Sequence, residues 1–246
     1  MPIIATAAWS INAKQAMHFP REGSGLQRYA AVFPGVEVNS TFYGHHKPET
    51  YARWADSVPP TFRFALKLPQ SITHEQRLKG CQALFEAFLS EIAPLGPKVG
   101  PLLCQLPPSL AFDAQTVRTA LSMMRGLHAG PIVVEARHAS WRAEEALALL
   151  EDLGIERVLA DPAPVWSATS FPRPPAYVRL HGSPTLYHSF YEDDALTRFG
   201  ALLAPGSWCV FDNTASGAAL ANALRLQGFL QAGAADKTGK RLPGVA

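Results

Sequence analysis

Several extended stretches of this chain end in polar residues that fall on one face. Side chains alternate along a strand, so Glu37 and Asn39 share a face of the run 36–39. By the same parity Arg63 and Lys67 pair in 62–68, Glu135 and Arg137 in 132–137, and Arg179 and His181 in 176–181. Gln105 shares a face with Leu103, Asp161 closes the run 157–161, and Asp212 with Asn213 closes 208–213, where only one of the two can point inward. Such a set carries general acid–base chemistry, with Glu37 or Glu135 as base and His74 or His181 as proton donor. It also carries anion binding, because Lys67 supplies a point charge while Arg137 and Arg179 supply planar forks. Asn39, Tyr43, Gln105, Asp161 and Asn213 are the remaining ligand-binding candidates.

Three other readings compete. Glu37, Glu135 and Asp161 balance Lys67, Arg137 and Arg179, so the charges can be a purely structural ion network. Glu37, Glu135, Asp161 and His181 can be read as metal ligands, but no compact ligand motif exists and cations at the same depth repel a divalent ion, so no metal is expected. Covalent catalysis of the Ser-His-Asp or Cys-His type has no readable motif. Trp9, Phe42, Tyr43, Trp141, Trp166, Tyr187 and Tyr191 gather near the same ends, where rings suit stacking on a sugar or base, or simply pack loops together.

The elements that must position these groups are strands alternating with helices. Strand candidates are 3–8, 36–39, 62–68, 99–106, 132–137, 157–161, 176–181 and 208–213. Between them, 81–93 places Leu84, Phe85, Phe88, Leu89 and Ile92 on one helical face. Pro48 suits the first turn of a helix carrying Tyr51, Trp54 and Ala55, and Asp113 suits the N-cap of a helix running to His128. Such alternation implies a parallel sheet with right-handed crossovers, and eight units in 246 residues match an α/β (β/α)8 TIM barrel. An open doubly wound sheet lacks its glycine-rich dinucleotide fingerprint here. The sixth unit is expected to be irregular, since Pro162, Pro164, Pro172, Pro174 and Pro175 leave little room for a helix. One barrel domain is expected over 1–232, followed by a polar tail over 233–246.

Composition bounds the partners. A net charge of +2 without a long basic run offers no electrostatic case for nucleic acid or an anionic membrane. No stretch is apolar for the ~18 residues of a membrane span. Cys81, Cys104 and Cys209 lie far apart in apolar stretches, as buried thiols in a reducing compartment would, and a cytoplasmic location is the expectation.

The segment "VEVNSTFYGHHKPETYARWADSVPPTFRFALKLPQSITHEQRL" resembles the core signature of the YecE-like proteins, the seventy-second domain of unknown function. The resemblance continues in "QLPPS" (105–109), "VEARHASW" (134–141), "RVLADPAP" (157–164), "YVRLHG" (177–182) and "FDNTASGAALANAL" (211–224), covering essentially the whole chain. It implies a TIM barrel and no assigned activity; kinship with sugar isomerases is implied by fold only. The family motifs fall on Glu37, Phe42, Tyr43, Trp54, Lys67, Thr73, His74, Gln105, Glu135, Arg137, Trp141, Asp161, Arg179, His181 and Asn213. Two departures stand out: "ATAAW" (5–9) replaces a glycine-bearing first strand, and Asp212–Asn213 replaces paired asparagines. The expectation is a polar pocket at the C-terminal mouth of the barrel for a small anionic, phosphorylated or carbohydrate-like ligand. Cofactor-free isomerisation or hydrolysis would follow, with a non-catalytic binding barrel or a metal-dependent sugar-isomerase-like enzyme as alternatives. The sequence carries no signal for oligomeric state.

Overall fold

The structure, a computed structural model, describes residues 1–237, with side chains to residue 233. All eight strands form: β1 Ile3–Thr6, β2 Gly35–Val38, β3 Arg63–Lys67, β4 Val99–Gln105, β5 Ile132–Glu135, β6 Glu156–Asp161, β7 Tyr177–Leu180 and β8 Trp208–Phe211. Every pairing is parallel, in the order β1-β8-β7-β6-β5-β4-β3-β2. β1 and β2 lie side by side at the seam without a continuous ladder. Gly35 permits that approach, because a Cβ there would meet Trp208 Cη2 at 2.8 Å and Ile3 Cγ2 at 2.9 Å. The register between β3 and β4 shifts between Phe64 and Leu66, opposite Pro101, whose missing N–H suits a bulge.

Helices α1 Gly25–Ala30, α2 Ser40–Tyr43, α3 Pro48–Asp56, α4 Gln82–Ile92, α5 Ala114–Leu127, α6 Glu144–Asp152, α7 Asp193–Ala201 and α8 Ala218–Lys237 cover the outside. Pro48 opens α3, and the Asp113 carboxylate accepts the Thr116 N–H at 2.8 Å to cap α5. Phe85, Phe88 and Ile92 of α4 are buried against the sheet, each contributing about 1.5–3 kcal/mol by leaving water. After β6 the prolines allow only a short 3-10 turn, Ala168–Ser170, so the sixth unit is indeed irregular. The tail expected over 233–246 falls on α8 up to Lys237 and beyond that lies outside the described residues.

Inside the barrel, Ala5, Ala7, Ala65, Leu103, Val133, Val158, Tyr177, Trp208 and Val210 form an apolar plug. Small alanines on β1 and β3 offset the large rings of Trp208 and Tyr177, which stack with centroids 5.9 Å apart. This plug fills the lower part of the interior, and the polar residues stand on it. The three cysteines are free and buried. Among the described residues no helix is long and apolar enough to cross a membrane.

Candidate functional site

Arg179 anchors the site. It is the second inward residue of β7, directly above Tyr177, and is fully buried. Its Nε and Nη2 donate to the two oxygens of Glu37 at 3.0 and 2.7 Å, a bidentate fork across the barrel to β2. Nη1 donates to Glu135 Oε2 on β5 at 2.6 Å, and Nη2 also reaches Asp212 Oδ2 just beyond β8 at 3.0 Å. The Tyr177 hydroxyl completes Glu37 by donating to Oε2 at 2.8 Å. Burial alone would raise the Glu135 carboxyl, but the charges of Arg179, His181 and Arg137 hold it well below the ordinary carboxylate range. Burial and the neighbouring carboxylates hold the Tyr177 phenol above its ordinary value, so it stays a donor.

His181 is the titrating member. Its Nδ1 lies 3.0 Å from Asp212 Oδ2 and its Nε2 3.2 Å from Glu135 Oε1. Burial disfavours the imidazolium, yet the Glu135 charge and the hydrogen bonds to Asp212 and Glu135 outweigh it and raise the imidazole above its ordinary value. Three carboxylates, Glu37, Glu135 and Asp212, face three cations, Lys67, Arg137 and Arg179. Protonation of His181 therefore sets whether the assembly is neutral or carries one positive charge.

The upper layer is more open. Arg137 donates Nε and Nη2 to Glu135 Oε1 at 3.0 and 2.9 Å, and its side chain stays 21% exposed. Lys67 ends the inner face of β3, with Nζ 3.9 Å from the centroid of the Phe42 ring and no salt bridge among the described residues. His74 sits on a single π turn, Ser71–Glu75, closed by the Gln76 N–H donating to Ser71 O at 3.0 Å; such turns are rare and recur at functional sites. Its Nδ1 lies 2.8 Å from Thr73 Oγ1, and burial with the charges of Lys67 and Arg137 lowers it from the ordinary imidazole value. Gln105 is buried on β4 without a side-chain partner among the described residues, and Tyr43 is exposed with its ring edge-on to Phe42. A cavity of about 330 Å3 opens beside Arg137 and His181, on the β5–β7 side of the mouth, lined by Glu135, Arg137, Ala160, Pro162, His181 and Leu186 among others.

Glu37, Glu135, Arg137, Arg179 and His181 are thus in one network, with Lys67, Gln105 and His74 in the layer near it. Three candidates stand apart. Asp161 follows the outward parity of Leu159, and its carboxylate accepts the Tyr191 hydroxyl at 2.7 Å; Val158 and Ala160 take the inward positions of β6. Asn213 likewise turns outward, donating to Ser189 O and Asn222 Oδ1 at 2.9 Å, where it secures the last loops. Asn39 donates weakly to Ala7 O at 3.4 Å, and its Oδ1 is buried without a partner. Asp212 supplies the third carboxylate that Asp161 was expected to give. Trp9 packs edge-on to Trp54 with centroids 5.0 Å apart. Arg179 does not share an anion with Lys67 and Arg137, since its donors are committed to carboxylates. For a metal, the same geometry is unfavourable: the oxygens that converge do so on guanidinium N–H groups, and no cluster of three ligand residues suited to an ion exists among the described residues.

A nearly closed ring of eight parallel strands, with polar groups gathered at the C-terminal strand ends, defines a TIM barrel with its candidate site at the usual mouth. The chain belongs to the family described as protein of unknown function DUF72, whose model matches residues 3–244. It is 33% identical over 151 residues to UPF0759 protein YecE of Escherichia coli K12, covering 59% of this chain and 55% of that protein. The chain thus spans about half the length of the curated relatives it matches. A crystal structure of a DUF72 family protein from Thermotoga maritima superposes with a TM-score of 0.77 at 26% identity, over 94% of this chain and 100% of that one. More distantly, the 3-keto-D-glucoside 4-epimerase of Escherichia coli shares the fold, with a TM-score of 0.56 and 11% identity over 94% and 99% of the two chains.

Proposed function

We propose that the mouth of this barrel binds a small anionic, carbohydrate-like molecule and moves protons on it through His181. The observation that carries this reading is the position of His181 between Glu135 and Asp212 at the wall of the 330 Å3 cavity, beside the partly exposed Arg137. Two carboxylates hold this imidazole protonated to higher pH than an ordinary histidine, so it has a proton to donate, and Arg137 and Arg179 still balance Glu135 when that proton leaves. Arg137, in the cavity wall, supplies the direct attraction for the anion and Lys67 adds positive charge from β3, while Arg179 holds the carboxylates in place and touches no ligand. Tyr43 and Tyr187, exposed at the rim, offer rings for the faces of a sugar. The fold shared with the 3-keto-D-glucoside epimerase is an analogy of architecture, and the chemistry rests on the site.

Thermal unfolding in rising phosphate, sulfate and a panel of sugar acids and sugar phosphates tests binding. A ligand at 100 times its Kd stabilises by about 2.7 kcal/mol, or roughly 5–10 °C for a chain of this size. Arg137→Ala should reduce that response, and Arg21→Ala at an exposed position should not. Equal responses in all three proteins would refute the anion site. Incubation with the stabilising compounds then separates two outcomes: consumption supports catalysis, and recovery unchanged favours a non-catalytic binding barrel.

A further inference from the structure

Lys67 is placed unlike the other cations of the site. Its backbone is fixed, since its carbonyl accepts the Thr41 hydroxyl at 2.6 Å and β3 pairs with β4 at Lys67 and Leu103. Its stem is buried, with 8% of the residue exposed. Glu37, the nearest inward carboxylate on β2, is occupied on both oxygens by Arg179 and Tyr177, so the amine has no carboxylate partner among the described residues. The amine lies over the Phe42 ring, and the same ring makes a T-shaped contact with the imidazole of His74, 4.8 Å between centroids. A ring face favours the ammonium by about 0.5–2 kcal/mol. Burial and then the Arg179 charge oppose it, outweigh the pull of Glu37, Glu135 and Asp212, and draw the amine down to about 8.

We propose that the Lys67 amine is a nucleophile that condenses with the carbonyl group of a small anionic 2-oxo acid to form a protein-bound imine. The choice of an anionic carbonyl compound rests on the anion site above; the reactivity of the amine stands on its own surroundings. The nitrogen lone pair adds to the carbonyl carbon, and a proton passes from nitrogen to oxygen. A second proton then reaches the carbinolamine hydroxyl as the nitrogen gives up its remaining N–H, the C–O bond breaks, water leaves, and a C=N bond remains. No oxidant or reductant takes part. His74, neutral at pH 7 and against the same ring, is the group placed to relay the proton, and the free amide of Gln105 on the neighbouring strand can hold the carbonyl oxygen. A protonated imine withdraws electrons from the adjacent carbon, which extends the proton chemistry assigned to His181.

The test is reductive trapping of the whole protein with pyruvate and cyanoborohydride, followed by peptide mass mapping. Lys67 should be modified at least about ten times faster at pH 7 than exposed Lys14 and Lys47, which lack its desolvated setting. Its rate should rise with a midpoint near pH 8. Lys67→Arg, which keeps the charge, should lose the adduct while melting within a few degrees of the parent. Modification of Lys67 no faster than Lys14 overturns the inference. Phosphate is the control on the anion site: if it stabilises the protein but Lys67 stays unmodified, the imine falls and the anion reading stands. If Lys67 is trapped and phosphate neither protects nor stabilises, the anion reading falls and the nucleophile stands.

Discussion

Arg179→Met is the sharpest perturbation of this site. Methionine fills much of the stem volume, so the change removes mainly a charge and four hydrogen bonds to Glu37, Glu135 and Asp212. The carboxylates are not equally exposed to the loss. Glu135 retains Arg137 and His181, and Asp212 retains His181, but Glu37 retains only the Tyr177 hydroxyl. Removing one partner of a buried ion pair costs about 3–5 kcal/mol, and here that cost concentrates on Glu37. For a chain of this length it corresponds to roughly 6–20 °C in Tm. The deficit also depends on pH. Arg179 is the strongest charge holding Glu135 and Asp212 down against their burial, so in the variant both keep their protons to higher pH when folded. A group protonated more readily in the folded chain costs stability as pH rises, so the deficit should narrow from pH 7 to pH 5. Urea unfolding at both pH values measures it, and Glu37→Gln in the Arg179→Met background should recover at least about 1 kcal/mol. A deficit under about 1 kcal/mol at pH 7, or one independent of pH, would refute the network as described.

Three further outcomes follow from the same contacts. His181 is raised when folded, so its protonated form contributes stability that is complete below about pH 6.5 and is lost as pH rises through the folded value. Asp212→Asn should flatten that decline in urea titrations between pH 6 and 9, whereas a wild-type curve without a decline would remove His181 as the titrating group. Tyr191→Phe should cost about 1–3 kcal/mol by leaving the Gly182 N–H and the Asp161 carboxylate unpaired, while the thermal response to phosphate stays unchanged; a lost response would return Asp161 to the binding site. Gly35→Ala should cost about 1–3 kcal/mol in denaturant unfolding, since its Cβ has no room beside Trp208 and Ile3.

Period-two alternation was enough to find all eight strands and to put Glu37, Lys67, Gln105, Glu135, Arg179 and His181 on inward faces. It overran the observed strand ends, because residues such as Ala136 and Arg137 bend over the mouth and leave the ladder. Parity was also available for Asp161: Val158 points inward, so Asp161, three residues on, points out. What no local pattern could supply was the pairing. Glu37 meets Arg179 across 142 residues because of barrel diameter and strand stagger, neither of which is written near either residue. The choice between Asp212 and Asn213 needed the same information, and so did the role of the Tyr177 hydroxyl, although its inward parity with Arg179 was a usable signal.

The cross-barrel fork from Arg179 to Glu37 has a consequence for synthesis on the ribosome. Both hydrogen-bond partners of the Glu37 carboxylate, Tyr177 and Arg179, are supplied by β7, so the first half of the barrel holds a carboxylate toward its own axis without its side-chain donors. At about 5–20 residues per second, some 7–30 s separate the appearance of Glu37 from that of its counter-ion. Throughout that interval a prematurely closed half-barrel is disfavoured by an unpaired buried carboxylate, and an open, hydrated β2 edge is favoured instead. The full set of bonds to Glu37 is thus complete only once β7 has been made.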